Sequence, residues 1–412
     1  MDARFRERYN AVFTDDFYRN FLSAFEKRVG CPIPYRVAET PFFVPNQLRD
    51  RLAKHAREVL QQALAPASVA AGRGAIPAEL DTPGETDQPD CVQVDFAITR
   101  GPDGELDGKV VELQAFPSLY ALMALKLEVI ADQMRAASGE LDRPWSVFYD
   151  GLDVPRFTER LRSAVVGDHD PEHVVLLDLT PDKQKTFPDF AATKQLIGVD
   201  YTCPTALKKQ GKKLYREKAG KLVPVERIYN RIVFDELTRA GVELPFSYRD
   251  ELDVTWCSHP NWYWIISKHS LPRLDHPSVP RARTLRDLGK DVPADLSRYV
   301  LKPLFSFAGS GVVVDPTHAD IAAVPDDQRD GWLLQEKIEY HPGIAMAPGA
   351  SDAPGGVKAE VRMMFLRSPG DAEPRLTLNL VRLSRGKMLG VDQNKNLTWV
   401  GGSIGLFDGP GQ

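Results

Sequence analysis

Val94-Asp95-Phe96-Ala97-Ile98, a turn at Gly101-Pro102-Asp103-Gly104, and Val110-Val111-Glu112-Leu113-Gln114-Ala115-Phe116-Pro117-Ser118 form the stretch from which the fold is read. Apolar runs on both sides of a Gly/Pro/Asp turn predict an antiparallel hairpin, with strands over 91–99 and 109–115. Alternate residues of a strand share a face, so Glu112 and Gln114 point the same way. Pairing brings Asp95 onto that face from the neighbouring strand. Three hard oxygen donors, two of them carboxylates, suit magnesium, which completes its shell with waters and substrate phosphates. An isolated Glu-x-Gln is more often a polar strand edge. Its weight therefore depends on what accompanies it.

Three companions lie far downstream. Tyr299-Val300-Leu301-Lys302-Pro303-Leu304 runs into Phe305-Ser306-Phe307-Ala308-Gly309-Ser310-Gly311-Val312. A strand lysine followed by a small-residue loop offers a point charge and backbone N–H groups that approach phosphate without Cβ obstruction; a plain hairpin with a glycine turn explains the segment equally well on its own. Leu333-Leu334-Gln335-Glu336-Lys337-Ile338-Glu339 starts apolar and ends polar, as a strand leading into a linker does. Its backbone is placed to meet an adenine edge, although an amphipathic strand is the simpler explanation. Glu360-Val361-Arg362-Met363-Met364-Phe365 sets Arg362 two positions from Glu360 on one face, with Arg382 and Arg385 further on. An arginine there clamps phosphate or carboxylate bidentately, or forms an ordinary surface pair.

Outward from these segments, the periodicity predicts a helix over 46–64, a loop over the Pro/Gly/Ala-rich residues 65–89 and a helix over 118–137. From Trp145 a new rhythm begins. Strands are predicted over 146–149, 174–179, 199–203 and 227–233, helices over 154–164 and 189–197, and a hairpin over 214–223 turning at Ala219-Gly220. This alternation argues for a small, largely parallel α/β unit. Strands over 298–303, 311–315, 331–339, 358–367 and 375–384 follow, and residues 340–356, rich in Pro, Gly and Ala, form a candidate mobile loop.

Composition sets the class. Hydrophobic residues make up 43% and charged residues 26%, with a formal net charge of −5. No basic surplus points to nucleic acid, and the run from Lys208 to Lys213 reads as a solvated face. Cys31, Cys91, Cys203 and Cys257 form no CxxC pair, so neither zinc spacing nor a disulfide framework is present. No apolar run reaches the ~18 residues of a membrane span, and no h-region follows Met1. A soluble, cytoplasmic protein is expected.

Together the four segments resemble the ATP-grasp superfamily. The usual order there is lysine–glycine loop, hinge, arginine strand, then metal strands. Here the metal-like strands come first, which resembles the circularly permuted, glutathionylspermidine synthase-like branch, over about residues 95–405. The resemblance implies an α/β (α+β) fold in three blocks. Residues 1–145 would hold a helical segment and the permuted metal strands, 146–265 a pre-ATP-grasp-like α/β domain, and 266–412 the lysine loop, hinge and arginine strands.

By the same resemblance Asp95, Glu112 and Gln114 match the Mg2+ ligands, with Gln114 in place of the more usual Asn. Lys302 matches the phosphate lysine and Ser306, Gly309, Ser310 and Gly311 the glycine-rich loop. Gln335, Glu336, Lys337 and Ile338 match the hinge, and Lys268 an earlier nucleotide lysine. Arg362 matches the phosphate-stabilising arginine, and Arg231 in Ile228-Tyr229-Asn230-Arg231-Ile232 the strand-end arginine facing substrate. The implied activity is an ATP- and magnesium-dependent, ADP-forming carboxylate–amine (or thiol) ligase working through an acyl phosphate. Its partners would be small-molecule carboxylate and amine substrates or a peptide, with no nucleic acid and no membrane. A non-catalytic ATP-binding or scaffold module of the same fold is the alternative, and a kinase-like transfer uses the same groups.

Other motifs carry less. Gly401-Gly402-Ser403-Ile404-Gly405 fits GxSxG, yet no histidine follows Ser403, so a serine hydrolase is rejected. His259, His269 and His276 lack HExxH spacing, and Trp256, Trp262, Tyr263 and Trp264 read as core packing. Asn394 and Lys395 lie near the terminal strand, where a nucleotide contact is a minor expectation.

Overall fold

The hairpin forms as expected: Cys91–Arg100 and Leu106–Gln114 pair antiparallel, with Asp95 opposite Glu112 and Gln93 opposite Gln114. In the computed structural model, which describes residues 1–304, 311–349, 356–386 and 396–409, this hairpin is the edge of a five-stranded sheet. The order is Gly401–Ser403, Arg375–Ser384, Lys358–Leu366, Cys91–Arg100, Leu106–Gln114. Lys358–Leu366 and Arg375–Ser384 pair antiparallel, and Lys358–Leu366 lies against Cys91–Arg100 with Arg362 opposite Asp95. Apolar residues recur at alternate positions of Cys91–Arg100, which gives the sheet one continuously apolar face and one of mixed character.

One face of the sheet presents Val92, Val94, Phe96 and Ile98 with Val361, Met363 and Phe365. Helix Asn46–Ala63 covers that face through Leu48, Leu52, Ala56, Val59 and Leu60, the apolar stripe seen in the sequence. The approach is close. A Cβ at Gly108 would meet Leu52 Cδ2 at 2.3 Å, so glycine there sets the helix–sheet distance. The opposite face changes character along its length. Cys91, Met364, Leu366, Leu378 and Leu380 join the core built on helix Tyr120–Ala137, and the face then turns charged at Asp95, Glu360, Arg362 and Arg382.

A second sheet is fully parallel, in the order Thr255–Cys257, Arg227–Asn230, Val174–Leu177, Asp200–Thr202. Helices Val154–Val165 and Phe187–Ile197 accompany it, so three strands and both helices read from the alternation are present, while the strand expected over 146–149 belongs to another sheet and Thr255–Cys257 is an edge strand not foreseen. The hairpin Lys213–Lys218 with Lys221–Val225 turns at Ala219 and Gly220, both at positive φ. A third, antiparallel sheet carries Ala282–Thr284, Trp332–Glu336, Tyr299–Pro303 and Val313–Val314.

Several expectations change. Residues 65–89 are not all loop: Pro66–Arg73 is a helix with proline in its first turn, where the missing N–H costs nothing. Two helices, Ala3–Val12 and Asp15–Val29, precede the first expected one, capped by Asp2 and Thr14 and closed at Gly30 in the left-handed region. Strand pairing also crosses both expected block boundaries. Trp145–Ser146 pairs with Gly405–Asp408, which in turn pairs with Phe42–Phe43, and Lys358–Leu366, Arg375–Ser384 and Gly401–Ser403 complete the sheet begun at Cys91. The loop residues Ser306, Gly309 and Ser310, part of the 340–356 segment (350–355), and Asn394 and Lys395 lie outside the described residues. Among the described residues no helix is long and apolar enough to cross a membrane.

Candidate functional site

The charged end of the five-stranded sheet meets the lysine-bearing sheet. Lys302 Nζ donates to the Val111 carbonyl at 3.1 Å, which sets the ammonium beside Glu112. Lys268 starts a short 3-10 turn, capped by Ser267, and its Nζ lies 3.8 Å from Glu112 Oε2. From the other side Arg362 Nη2 comes within 3.7 Å of Glu112 Oε1. Segments separated by most of the chain thus converge on one carboxylate.

Asp95 is completely buried and accepts from both arginines. Arg362 donates Nε to Oδ1 at 2.7 Å and Nη2 to Oδ2 at 2.6 Å, and Arg382 Nη2 donates to Oδ2 at 2.7 Å. Arg382 also pairs with Glu360, whose other oxygen accepts from the Tyr340 hydroxyl at 3.1 Å. Four cations, Lys268, Lys302, Arg362 and Arg382, are therefore interleaved with three carboxylates, Asp95, Glu112 and Glu360, and Lys268 also acts on Asp235. Cations gathered at a largely buried place attract anions more strongly than the same groups in water.

Titration follows from this crowding. Burial pushes the Glu112 carboxyl up, but Lys268, Arg382, Arg362 and Lys302 together hold it below its ordinary value. Burial lowers the Lys302 ammonium to about 8, with Glu112 opposing and Lys268 reinforcing the drop. Glu360 is raised, by burial first and then by Asp95 and Glu112, against the pull of Arg382.

The expected magnesium trio divides under this geometry. Asp95 accepts three guanidinium hydrogen bonds, two of them on Oδ2, so a metal there would compete with both arginines and Asp95 is the poorer fit of the two carboxylates. The Gln114 amide donates to Gln93 Oε1, which ties its side chain to the neighbouring strand. Glu112 fits: its side chain is 22% exposed, and its cationic neighbours stand beyond hydrogen-bond distance. One carboxylate plus substrate phosphates is a sufficient set for magnesium. Among the described residues no group of three or more His, Cys, Asp or Glu is arranged to hold a metal.

The hinge segment lies at one side of a cleft of about 710 Å³, lined also by Lys109, His276 and Arg281. Gln335 is buried within its strand, and its amide Nε2 has no partner. The Glu336 N–H is bonded to the Arg281 carbonyl and the Lys337 N–H to the Arg298 carbonyl. Lys337 Nζ turns to Ser297 and Asp315. Ile338 and Glu339 complete the lining. Gly311 holds φ +72, where glycine is favoured, and a Cβ there would meet the Pro303 ring at 3.1 Å.

Arg231 sits apart from this cluster, at the carboxyl end of the parallel sheet, where α/β folds place their ligands. Only 2% exposed, its guanidinium lies over the rings of Phe116 at 4.9 Å and Phe190 at 5.3 Å. Nη2 donates to Thr186 Oγ1 at 3.2 Å, while Nε and Nη1 have no partner. Burial raises the nearby Asp178 carboxyl to about 7 and raises Asp189 as well, with Arg231 opposing both. Phe116 follows directly on the Glu112–Gln114 strand, so one short segment touches both places.

Sequence reasoning missed the pairing roles of Glu360, Arg382 and Tyr340. A signal existed in Glu360-x-Arg362 and Arg382 as same-face positions of adjacent strands. Which strands are adjacent is set by pairing over more than 250 positions in the case of Asp95 and Arg362.

No family model matches the chain, and no curated protein matches it. Solved structures do share its fold. One is a glutathione synthetase-like effector from Globodera pallida in its apo form, with TM-score 0.57 and 12% sequence identity over 91% of this chain and 96% of that one. The chain thus has a mixed α/β, glutathione synthetase-like fold. This likeness is to a glutathione synthetase-like protein rather than to the glutathionylspermidine synthase-like branch, and at such identity it carries the fold alone.

Proposed function

We propose that the protein is an ATP-dependent, ADP-forming ligase that activates a carboxylate as an acyl phosphate, on an ATP-grasp fold with permuted segment order. The observation that carries this reading is the gathering of Lys268, Lys302 and Arg362 around Glu112, with Arg382 on the adjoining Asp95, where two sheets meet. A substrate carboxylate oxygen would attack the γ-phosphorus of ATP, breaking its bond to the bridging oxygen and releasing ADP. An amine or thiol would then attack the acyl carbon, lose a proton, and expel phosphate. Phosphoryl transfer of this kind is driven by position and electrostatics, which the cationic quartet supplies. Glu112 would hold magnesium, whose charge offsets that of the phosphate oxygens when bound. Arg231, with two unpartnered donors, is suited to a substrate carboxylate.

Asp95, sealed between two arginines, favours a second reading in which the site holds nucleotide without turnover, since a binder needs no metal-ordered γ-phosphate. The experiment that separates the two is a screen of amino acids, small carboxylates, amines and peptides for ADP release. ADP release that needs a carboxylate and is accompanied by its joining to an amine or thiol establishes the ligase. ATP binding without ADP release across the whole screen leaves the binder.

A further inference from the structure

We infer that Asp95 is a positioning residue that locks Arg362 and Arg382 side by side as a two-guanidinium anion clamp, and that it is not a metal ligand. The inference rests on the anion-binding reading given above. Its basis is geometric. Asp95 Oδ2 accepts from Arg362 Nη2 at 2.6 Å and from Arg382 Nη2 at 2.7 Å, so one oxygen pins two like-charged groups together. Arg362 Nε on Oδ1 at 2.7 Å adds the second tooth of a fork, fixing the plane of that guanidinium. Glu360 holds Arg382 from its far side and is itself held by Tyr340.

Two guanidiniums in contact repel, and without a shared acceptor long side chains would splay apart into separate rotamers. Asp95, completely buried and centred on its strand, offers a fixed point between them. Its two forked bonds to Arg362 use Nε and Nη2, leaving Nη1 for a ligand, while Arg382 reaches Asp95 and Glu360 through Nη2 alone. Placing a divalent cation on Asp95 would break three charge-assisted hydrogen bonds and set the metal against two guanidiniums. The neighbouring Glu112, partly exposed and free of such bonds, has no such conflict. The clamp predicts an anion with at least two adjacent oxyanion groups, as in a polyphosphate.

The two roles predict opposite signs in the absence of metal. Removing a metal ligand leaves metal-free anion affinity unchanged or higher, because an acid has gone. Removing the positioner lowers it. The test is calorimetric titration of the full-length wild type, Asp95→Asn and Asp95→Glu with ATP and with inorganic pyrophosphate, in EDTA and in magnesium. Expected is a loss of about tenfold or more in metal-free affinity for Asp95→Asn, partial recovery in Asp95→Glu, and an unchanged factor by which magnesium improves binding. If Asp95→Asn does not fold, the double variant Asp95→Asn/Arg382→Gln, which removes one acid and one base, is compared with Arg382→Gln alone, and a further metal-free loss in the double variant is expected. Undiminished metal-free affinity with the magnesium effect abolished overturns the inference and leaves the proposed function standing. A wild type that holds neither anion overturns both. Anion binding that falls as expected in a protein that never releases ADP retires the ligase and keeps the clamp.

Discussion

Replacing Lys302 with methionine should make the protein more stable while removing its grip on nucleotide. Lys302 is 6% exposed, and burial lowers its ammonium from 10.5 to about 8. At ~1.36 kcal/mol per pH unit, holding that charge costs the fold about 3 kcal/mol. The lost hydrogen bond from Nζ to the Val111 carbonyl offsets about 1 kcal/mol of the gain, leaving a net stabilisation of about 2 kcal/mol at pH 7. The sign with pH is fixed by linkage. Between about pH 8 and 10.5 the unfolded chain binds the proton and the folded one does not, so this contribution to stability rises with pH. Below about 8 the cost is present in full. Urea unfolding in EDTA at pH 7 and pH 10 should therefore show the variant's advantage at pH 7 and its shrinkage at pH 10. Calorimetric titration with ADP at pH 7 should show binding weakened by about tenfold or more, the loss of one well-placed charge. A variant that is less stable than wild type and binds ADP unchanged would refute the assignment, because Lys302 would then be a structural cation.

Other substitutions separate the remaining roles. Glu112→Gln should abolish the improvement that magnesium gives to ATP binding and strengthen metal-free ADP binding, since it removes an acid from among four cations; calorimetry in EDTA and in magnesium checks both. Arg231→Met should remove carboxylate-dependent ADP release while leaving ATP affinity within about twofold, a split read by assaying release and binding on the same preparation. Lys126, 2% exposed on helix Tyr120–Ala137 and lowered to about 7 by burial, donates to the Gly402 carbonyl at 2.9 Å. Lys126→Met should raise the thermal midpoint, more at pH 6 than at pH 9, because the cost of the charge is present in full only below its folded value.

Local chemistry was readable from the sequence and long-range pairing was not. Alternation placed Glu112 and Gln114 on one face, and the Gly101–Gly104 turn marked the hairpin, because both follow from neighbours a few residues apart. The helix 66–73 was hidden by a composition of Pro, Ala and Gly, although Pro66 in its first turn is itself a helix-start signal. The pairing of Trp145–Ser146 and Phe42–Phe43 with the C-terminal Gly405–Asp408 strand was not legible either. Two-residue strands carry almost no pattern of their own. Gly401 is a similar case: at φ +118, with the Arg36 carbonyl 2.2 Å from where a Cβ would stand, it is dictated by a partner strand-end invisible from its own neighbours. Asp95 is the most instructive residue. Its position and face were legible, but its partners Arg362 and Arg382 come from strands more than 250 positions away, and their hydrogen bonds are the ground for reading it as an arginine anchor.

The central claim is that two sheets bring four cations and Glu112 together to hold a nucleotide. Its most direct test is calorimetric titration of the full-length protein with magnesium and ATP, beside Lys302→Met. The account predicts saturable binding at one site, weakened about tenfold or more in the variant. Absence of binding to the wild type, or equal binding to both proteins, would contradict it.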